Sequence, residues 1–445
     1  MRTMDRTSAH RASRTARRLV TSLAIGLLAL ARSAGGQEAS TSVDRGTTCS
    51  AEEHGRDGDE HRDIDLRDVL VAENSVSGTV SFLDGRDFRN VGSVNAVPDL
   101  QERLAEINAN PIEAYAYGLV TESQIIRHFE PSGGVRLIDD VAISPDGTRL
   151  YVSRSNLADV AAFDLTDAAH PMIWRTHVDG FLADHAALSP DGRRFVVSAT
   201  TADVADVFDA DTGVLVGSFP TGHFPHQDEY SADGRHIYNG SVGDVTLPFA
   251  QDAEKGARQL TVVDAVTLKV LRIYSFTEGV RPTVVTDDEK RMYAQLSYLN
   301  GLIKFDLVTG KIEKTLTEPL SAFAVSTYPT PDDYPHNSAH HGLAMSGDGT
   351  RLCDVGTIDN TVSIVSTARL EVISTTDVGN VPYWATTSRD GQHCLVAISA
   401  ANAVSVISYR TGREVRSVPV GKFPQRLRLA KLPVRVERLL SPSPG

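Results

Sequence analysis

One polar position in this chain recurs in step with a turn. Ser144, Ser189, Ser231, Thr286, Ser346 and Ser388 each stand just before a tight turn, and five residues upstream of them lie Asp139, Asp184, His226, Arg281, His341 and Tyr383. A further copy, aligned through its proline, adds Gln425, and flanking positions add Asp140, His185, Trp384 and His340. Imidazoles, carboxylates and a guanidinium are not packing groups, and buried together they require partners. Neutral imidazoles converging from three segments, His185, His226 and His341 or His340, would suit a single transition metal (Cu, Zn or Fe). Asp139, Asp140 or Asp184 would then act as further ligands or fix the imidazole tautomers. The same residues would equally suit a water-filled polar channel without metal. Arg281 is expected to clamp an anionic group of a small-molecule ligand, or else to be neutralised by Asp184 or Asp139. Catalytic roles would fall to Arg281, Tyr383 and Asp139. Asp140, Asp184, Trp384, Tyr230 and Gln425 would contact the ligand, with Phe224, Tyr230, Tyr383 and Trp384 as apolar walls.

A repeat positions these residues. The segments 137–155, 182–200, 221–241, 340–357 and 382–399 share one grammar: a strand, a Pro-Asp-Gly-like turn and a second strand. A period of roughly forty residues marks stacked supersecondary units. Within each unit a third strand ends in Asp (VAAFDL, VADVFDA, LTVVDA, LIKFDL), and a fourth leads to the next unit. Period-two alternation along these strands buries one face of each small sheet against its neighbour. Long apolar faces of helical period are missing. The expectation is an all-β seven-bladed β-propeller.

The units run 137–178, 182–219, 225–276, 280–317, 339–377 and 382–420. Before them, 69–97 reads as three strands lacking an inner one; after them, 420–431 repeats the corner and inner strand with nothing to follow. Pairing the two ends would close the ring and remove the exposed sheet edge. Insertions are expected at 98–133, with a helix over Asp99–Ile107, at Val242–Arg258 and at Glu318–Ser338. The loop Thr327–His341 would form a lid or rim, with His336 as an extra ligand or a plain surface residue. His223 and His226 flank a Phe-Pro corner, so their side chains need not converge.

The repeat DGTRLYVSRS…ADVAAFDL, with its SPDG turns and VGxxP corners, resembles the YVTN-type seven-bladed propellers of the YncE-like and cytochrome-d1-like superfamily over about 68–431. The resemblance implies the fold. It leaves the chemistry open, because that group includes redox proteins, lactonases and binding proteins, and Pro-His at this corner is common in such repeats as a wet-channel residue. The classes in view are therefore a metal-dependent redox enzyme, a non-catalytic ligand- or protein-binding propeller, and a lactonase-like hydrolase using a general base.

Composition bounds the rest. The formal charge is −13, and residues 1–36 carry seven Arg against Asp5, so the remainder is more acidic still. Such a surface argues against nucleic acid or an anionic membrane as partner. Arg14–Arg18, an apolar run from Leu19 to Ala31 and the small-Xaa-small Ala29-Leu30-Ala31 read as an export signal over 1–36. It is plain secretory or twin-arginine-like (Arg17-Arg18), and too short to remain as a membrane span. The protein is expected to be periplasmic or secreted. Residues 37–67 are polar, poor in large apolar side chains and unable to offset ordering entropy, so they are expected to form a flexible lead-in; 432–445 is expected to be a C-terminal tail. Three cysteines occur without a Cys-Xaa-Xaa-Cys-His, which leaves no signal for covalent c-type haem. Cys353 and Cys394 occupy nearly matching places in consecutive units. They are expected to lie too far apart for a bridge and to be two small buried thiols. No GxSxG elbow, HExxH helix, phosphate loop or dinucleotide fingerprint is present.

Overall fold

The turn residues used for the alignment are also what builds the sheets. In a computed structural model, which describes residues 65–126 and 135–441, the six aligned hydroxyls make one repeated pattern. Each donates to the Asp two residues on, as Ser189 Oγ does to Asp191 at 2.6 Å, and each accepts the backbone N–H five residues on. The turn glycines Gly147, Gly192, Gly234, Gly349 and Gly391 sit near φ +70°. This is the left-handed region that L residues avoid. In the one copy without glycine, Glu289 takes that conformation, with φ 53°. One turn chemistry thus fixes the register of each strand pair, so residues five upstream stand at the same depth.

Seven four-stranded antiparallel sheets result. Blade one holds β1 (Leu66–Asn74), β2 (Thr79–Asp84) and β3 (Asn90–Asn95). Blade two holds β4 (Asp140–Ile143), β5 (Arg149–Arg154), β6 (Asp159–Asp164) and β7 (Met172–His177), and blade three holds β8 (Ala183–Leu188), β9 (Arg194–Ala199), β10 (Val204–Asp209) and β11 (Leu215–Pro220). Blade four comprises β12 (Pro225–Tyr230), β13 (His236–Ser241), β14 (Gln259–Asp264) and β15 (Val270–Ser275). Blade five comprises β16 (Val280–Val285), β17 (Arg291–Leu296), β18 (Gly301–Asp306) and β19 (Lys311–Thr317). Blade six is β20 (Leu343–Met345), β21 (Arg351–Gly356), β22 (Thr361–Ser366) and β23 (Glu371–Asp377); blade seven is β24 (Pro382–Thr387), β25 (His393–Ile398), β26 (Ala403–Ser408) and β27 (Glu414–Pro419). The last strand, β28 (Pro424–Pro433), pairs antiparallel with β1, Val69 opposite Ala430 and Val71 opposite Arg428, and supplies the missing inner strand of blade one. The ring closes through its two ends, and β28, β4, β8, β12, β16, β20 and β24 succeed one another around the axis.

The core lies between blades. Val71, Phe82, Val152, Phe163 and Leu432 pack at the one–two junction, and Tyr238, Leu260, Met292 and Phe305 at the four–five junction. Each such fully buried side chain contributes about 1.5–3 kcal/mol over its exposed state.

Several expectations meet a different structure. The export segment and most of the polar lead-in fall outside the described residues, and β1 begins at Leu66, slightly before the expected propeller start. From Leu432 to Ser441 the chain stays packed. A short helix, Val434–Glu437, follows β28; Val436 is fully buried, and Ser441 bridges to Ser93 of β3. The first insertion holds two helices rather than one, α1 (Leu100–Ala109) and α2 (Pro111–Ile126). The start of α2 was legible in Asn110-Pro111-Xaa-Glu113: the Asn110 side chain accepts the Ile112 N–H at 3.0 Å, and Pro111 opens the helix. The α1 helix sits on blade two through buried charge pairs, Arg154 with Asp99 and Asp159 and Arg103 with Asp159, and through a hydrogen bond from Arg103 to the Leu157 carbonyl.

The cysteine expectation is overturned. Cys353 and Cys394 form a disulfide with Cα atoms 6.2 Å apart. They lie on β21 and β25, the second strands of blades six and seven. Blades converge toward the axis, so second strands of neighbours come closer than the roughly 10 Å usual for packed sheets.

Candidate metal centre on the propeller axis

Backbone irregularity aims the ring residues inward. Strand pairing shifts register between Ala183 and Ala186, between Pro225 and Gln227, between Val280 and Thr283, and between Pro382 and Ala385. The skipped positions include Asp184, His185, His226, Arg281, Tyr383 and Trp384. Bulges of this kind re-aim side chains that a regular ladder would hold in the sheet. At three of the corners the residue before the proline is left-handed: Phe224 (φ 54°), Val381 (φ 57°) and Phe423 (φ 59°). That conformation is costly for such side chains, most of all for β-branched Val381. Each strained residue lies two before a ring residue: His226, Tyr383 or Gln425.

His185, His226 and His341 converge. Their ligand atoms, one from each, all lie within 4.8 Å of one another. His226 Nδ1 faces Asp184 Oδ2 at 2.9 Å, and His341 Nδ1 faces the Tyr383 carbonyl at 3.3 Å. Both partners are acceptors, so each Nδ1 carries the hydrogen and each neutral ring turns a bare Nε2 inward. The two Nε2 atoms lie 3.0 Å apart. Two lone pairs at that distance repel unless a cation sits against both, and cis imidazoles on a metal at 2.0–2.1 Å come about 3 Å apart. His185 completes the group. Its ring centroid is 4.4 Å from that of His226, and neither of its nitrogens has a hydrogen-bond partner. Burial holds all three imidazoles well below their ordinary pKa, helped by Arg426 at His185, by Arg281 at His226, and by His226 and Arg281 at His341. Neutral imidazole is the form that ligates.

The acidic residues divide between two tasks. Asp139, Asp184 and His185 bring ligand atoms within 4.8 Å of one another. Burial, together with the charge of Asp184, drives the Asp139 carboxyl well above the usual range. Asp140 is a clamp between blades: it accepts the Ala186 N–H at 3.0 Å and two contacts from the Arg428 guanidinium, and lies 3.0 Å from Arg426 Nε.

Arg281 is buried, and burial pushes it down to about 10. Its Nε donates to Ser297 Oγ at 3.0 Å and its Nη2 to the His336 carbonyl; neither Asp184 nor Asp139 pairs with it directly. Tyr383 stacks on His341, with centroids 4.0 Å apart. Trp384 stands 5.1 Å from the His185 ring, and the Arg426 guanidinium lies over the Trp384 ring, 3.3 Å from its centroid. Gln425 Oε1 accepts from Ser75 Oγ at 2.8 Å, and its Nε2 has no partner.

Two expected residues do not join this centre. Tyr230 lies at the far end of β12, four residues from His226 and so about 13 Å along the strand, packed with Ala187, Val196 and Phe219. His340 turns away from its neighbour His341: its Nδ1 contacts Asp354 Oδ1 at 3.0 Å, and it groups with Glu318 and Asp354. His223 and His226 diverge from their corner as its geometry allows: His223 pairs with Asp203 at 2.9 Å, His226 with Asp184. The Thr327–His341 loop is packed rather than free, with Ala339 and Ile358 fully buried beneath Tyr328 and Tyr334. It meets the insertion of blade four, where Asp332 accepts the Phe249 N–H at 2.6 Å. Arg426 was missed, although the alignment reaches it one step beyond Gln425, at the flanking position that yields His185 and Trp384.

Compared with models of known families and with curated proteins, the chain matches none.

Proposed function

We propose that the axial His185, His226 and His341 hold one transition metal, and that the protein is an exported metal-dependent enzyme, of redox type, acting on a small molecule. The observation that carries this reading is the pair of inward Nε2 atoms of His226 and His341 at 3.0 Å, with their Nδ1 hydrogens already committed. A bound Cu, Fe or Zn would supply Lewis acidity and, for Cu or Fe, electron transfer. The chain's own groups orient and screen. Asp184 and the Tyr383 carbonyl fix the tautomers, Tyr383 and Trp384 wall the site, and Arg281 holds positive charge where an anionic substrate group would lie. Asp139, its carboxyl raised by burial and by the charge of Asp184, is the group placed to exchange a proton beside the imidazoles. Export is supported by the Cys353–Cys394 disulfide, a bond that persists in oxidising compartments.

The test is metal content of full-length protein purified from the exported fraction, measured by plasma mass spectrometry. Loss of one equivalent of Cu, Fe or Zn in the His226→Ala/His341→Ala chain supports the centre; a chain that keeps its full metal after both changes removes it. Metal-dependent oxygen uptake with small organic reductants then separates an enzyme from the second reading, a non-catalytic binding propeller. That alternative is favoured by the depth of the site, where His341 is fully buried.

A further inference from the structure

Blades five and six enclose a second group of ionisable side chains that the axial centre does not use. Glu318 follows directly on β19, His340 ends the insertion that begins there, and Asp354 lies in β21. Ligand atoms of these three, one from each, lie within 4.8 Å of one another. Part of their bonding capacity is taken: Ser363 Oγ donates to Glu318 Oε2 at 2.6 Å, and Gln295 Nε2 donates to Asp354 Oδ1 at 2.5 Å. Glu318 Oε1, Asp354 Oδ2 and His340 Nε2 are buried and have no partner. His340 is 2% exposed and Asp354 0%. Asp359, also buried, adds a further carboxylate field at His340. Among the described residues no Lys or Arg pairs with Glu318, Asp354 or Asp359; His340 is the basic group set against them, and burial together with the charge of Asp354 lifts the Glu318 carboxyl to about 7.

We propose that Glu318, His340 and Asp354 form a second metal site, for a divalent cation of the Zn²⁺ or Mn²⁺ type, which accepts one imidazole and two carboxylates. The cation would tie both ends of the 318–340 insertion to β21. That insertion carries the His336 carbonyl to which Arg281 donates, so the second site steadies the wall of the axial centre without belonging to it.

The experiment uses the full chain, stripped with chelator and reloaded with ZnSO₄ alone, with zinc content and Tm as readouts. In the His226→Ala/His341→Ala background we expect a single equivalent of zinc to remain and Tm to rise by at least about 3 °C at a hundredfold excess over Kd. Adding His340→Gln should remove that equivalent, and Glu318→Gln, nearly isosteric, should weaken zinc at least about tenfold while the chain stays folded. If the axial reading fails, wild type still binds this single equivalent, and it is lost with His340→Gln but kept in the axial double variant. The proposal is overturned if the axial double variant binds no zinc, if zinc leaves Tm unmoved, or if neither His340→Gln nor Glu318→Gln changes zinc content.

Discussion

The Nε2 atoms of His226 and His341 face each other at 3.0 Å across 115 residues of sequence. Each ring is turned this way by an acceptor on its other nitrogen: the Asp184 carboxylate in one case and the Tyr383 carbonyl in the other. The arrangement stores a repulsion that a bound cation relieves. Asp184→Asn should therefore weaken metal binding at the axis by about ten- to a hundredfold through loss of the tautomer lock, with the fold retained. Competition with a chromophoric chelator measures this, and unchanged affinity would count against the tautomer argument.

Trp384 reports on the same centre. The chain has two tryptophans, Trp174 and Trp384, and the Trp384 ring lies 5.1 Å from that of His185. In Trp174→Phe, stoichiometric Cu²⁺ should quench most of the remaining emission; in Trp384→Phe it should quench little. Equal quenching in the two variants would place the copper elsewhere.

The disulfide closes a segment with a sequence separation of 41 residues. The chain-entropy relation assigns such a loop about 4 kcal/mol of stabilisation. Cys353→Ser/Cys394→Ser should lower Tm, and a reductant should lower wild-type Tm toward the same value while leaving the variant unmoved. A variant as stable as wild type would show that the bond adds nothing to the blade six–seven junction.

Asp228 gives a pH-dependent stability. Its oxygens accept from Ser198 Oγ at 2.8 Å and Asn239 Nδ2 at 3.0 Å, and burial pushes its carboxyl up to about 7. Its unfolded value is near 3.9, so the folded state holds the extra proton between about pH 4 and pH 7. The contribution is whole below about pH 4 and is lost as pH rises through about 7. Asp228→Asn keeps the shape and removes the titration. From about pH 4 to pH 8 the variant should gain on wild type by at most about 4 kcal/mol, read from urea unfolding at both ends. A difference that stays constant with pH would refute the assignment.

Arg154 holds the inserted helices. It is fully buried and reaches Asp159 at 2.6 Å and Asp99 at 2.5 Å. Arg154→Ala takes the shared guanidinium from two carboxylates, leaving Arg175 at Asp99 and Arg103 at Asp159, at an expected loss of about 3–5 kcal/mol. Hydrogen exchange in α1 should rise with it. A loss below about 1 kcal/mol would mean that Arg175 and Arg103 already neutralise the group.

The blade count and the closure of the ring were legible because turn chemistry is local. A Ser, an Asp two residues on and a residue that accepts positive φ build the same corner wherever they occur, and the incomplete first unit and the spare last strand are complementary along the chain. The depth of His226, Arg281, His341 and Tyr383 followed from that register. Which of two adjacent histidines faces the axis did not. His341 and His340 have nearly the same sequence context, and the choice falls to Asp354, which pulls His340 into another junction. The cysteine bridge was hidden likewise, since the distance between neighbouring blades depends on how far from the axis the residues lie.

By itself, then, the sequence determined the repeat, the number of blades and the set of residues at the inner-strand starts, since each rests on contacts a few residues apart. Only the tertiary structure decided which imidazoles meet, that Tyr230 lies too far along its strand, and that Glu318 and Asp354 join His340. Those pairings are made between strands far apart in the chain, and their distances are set by how the blades converge on a common axis.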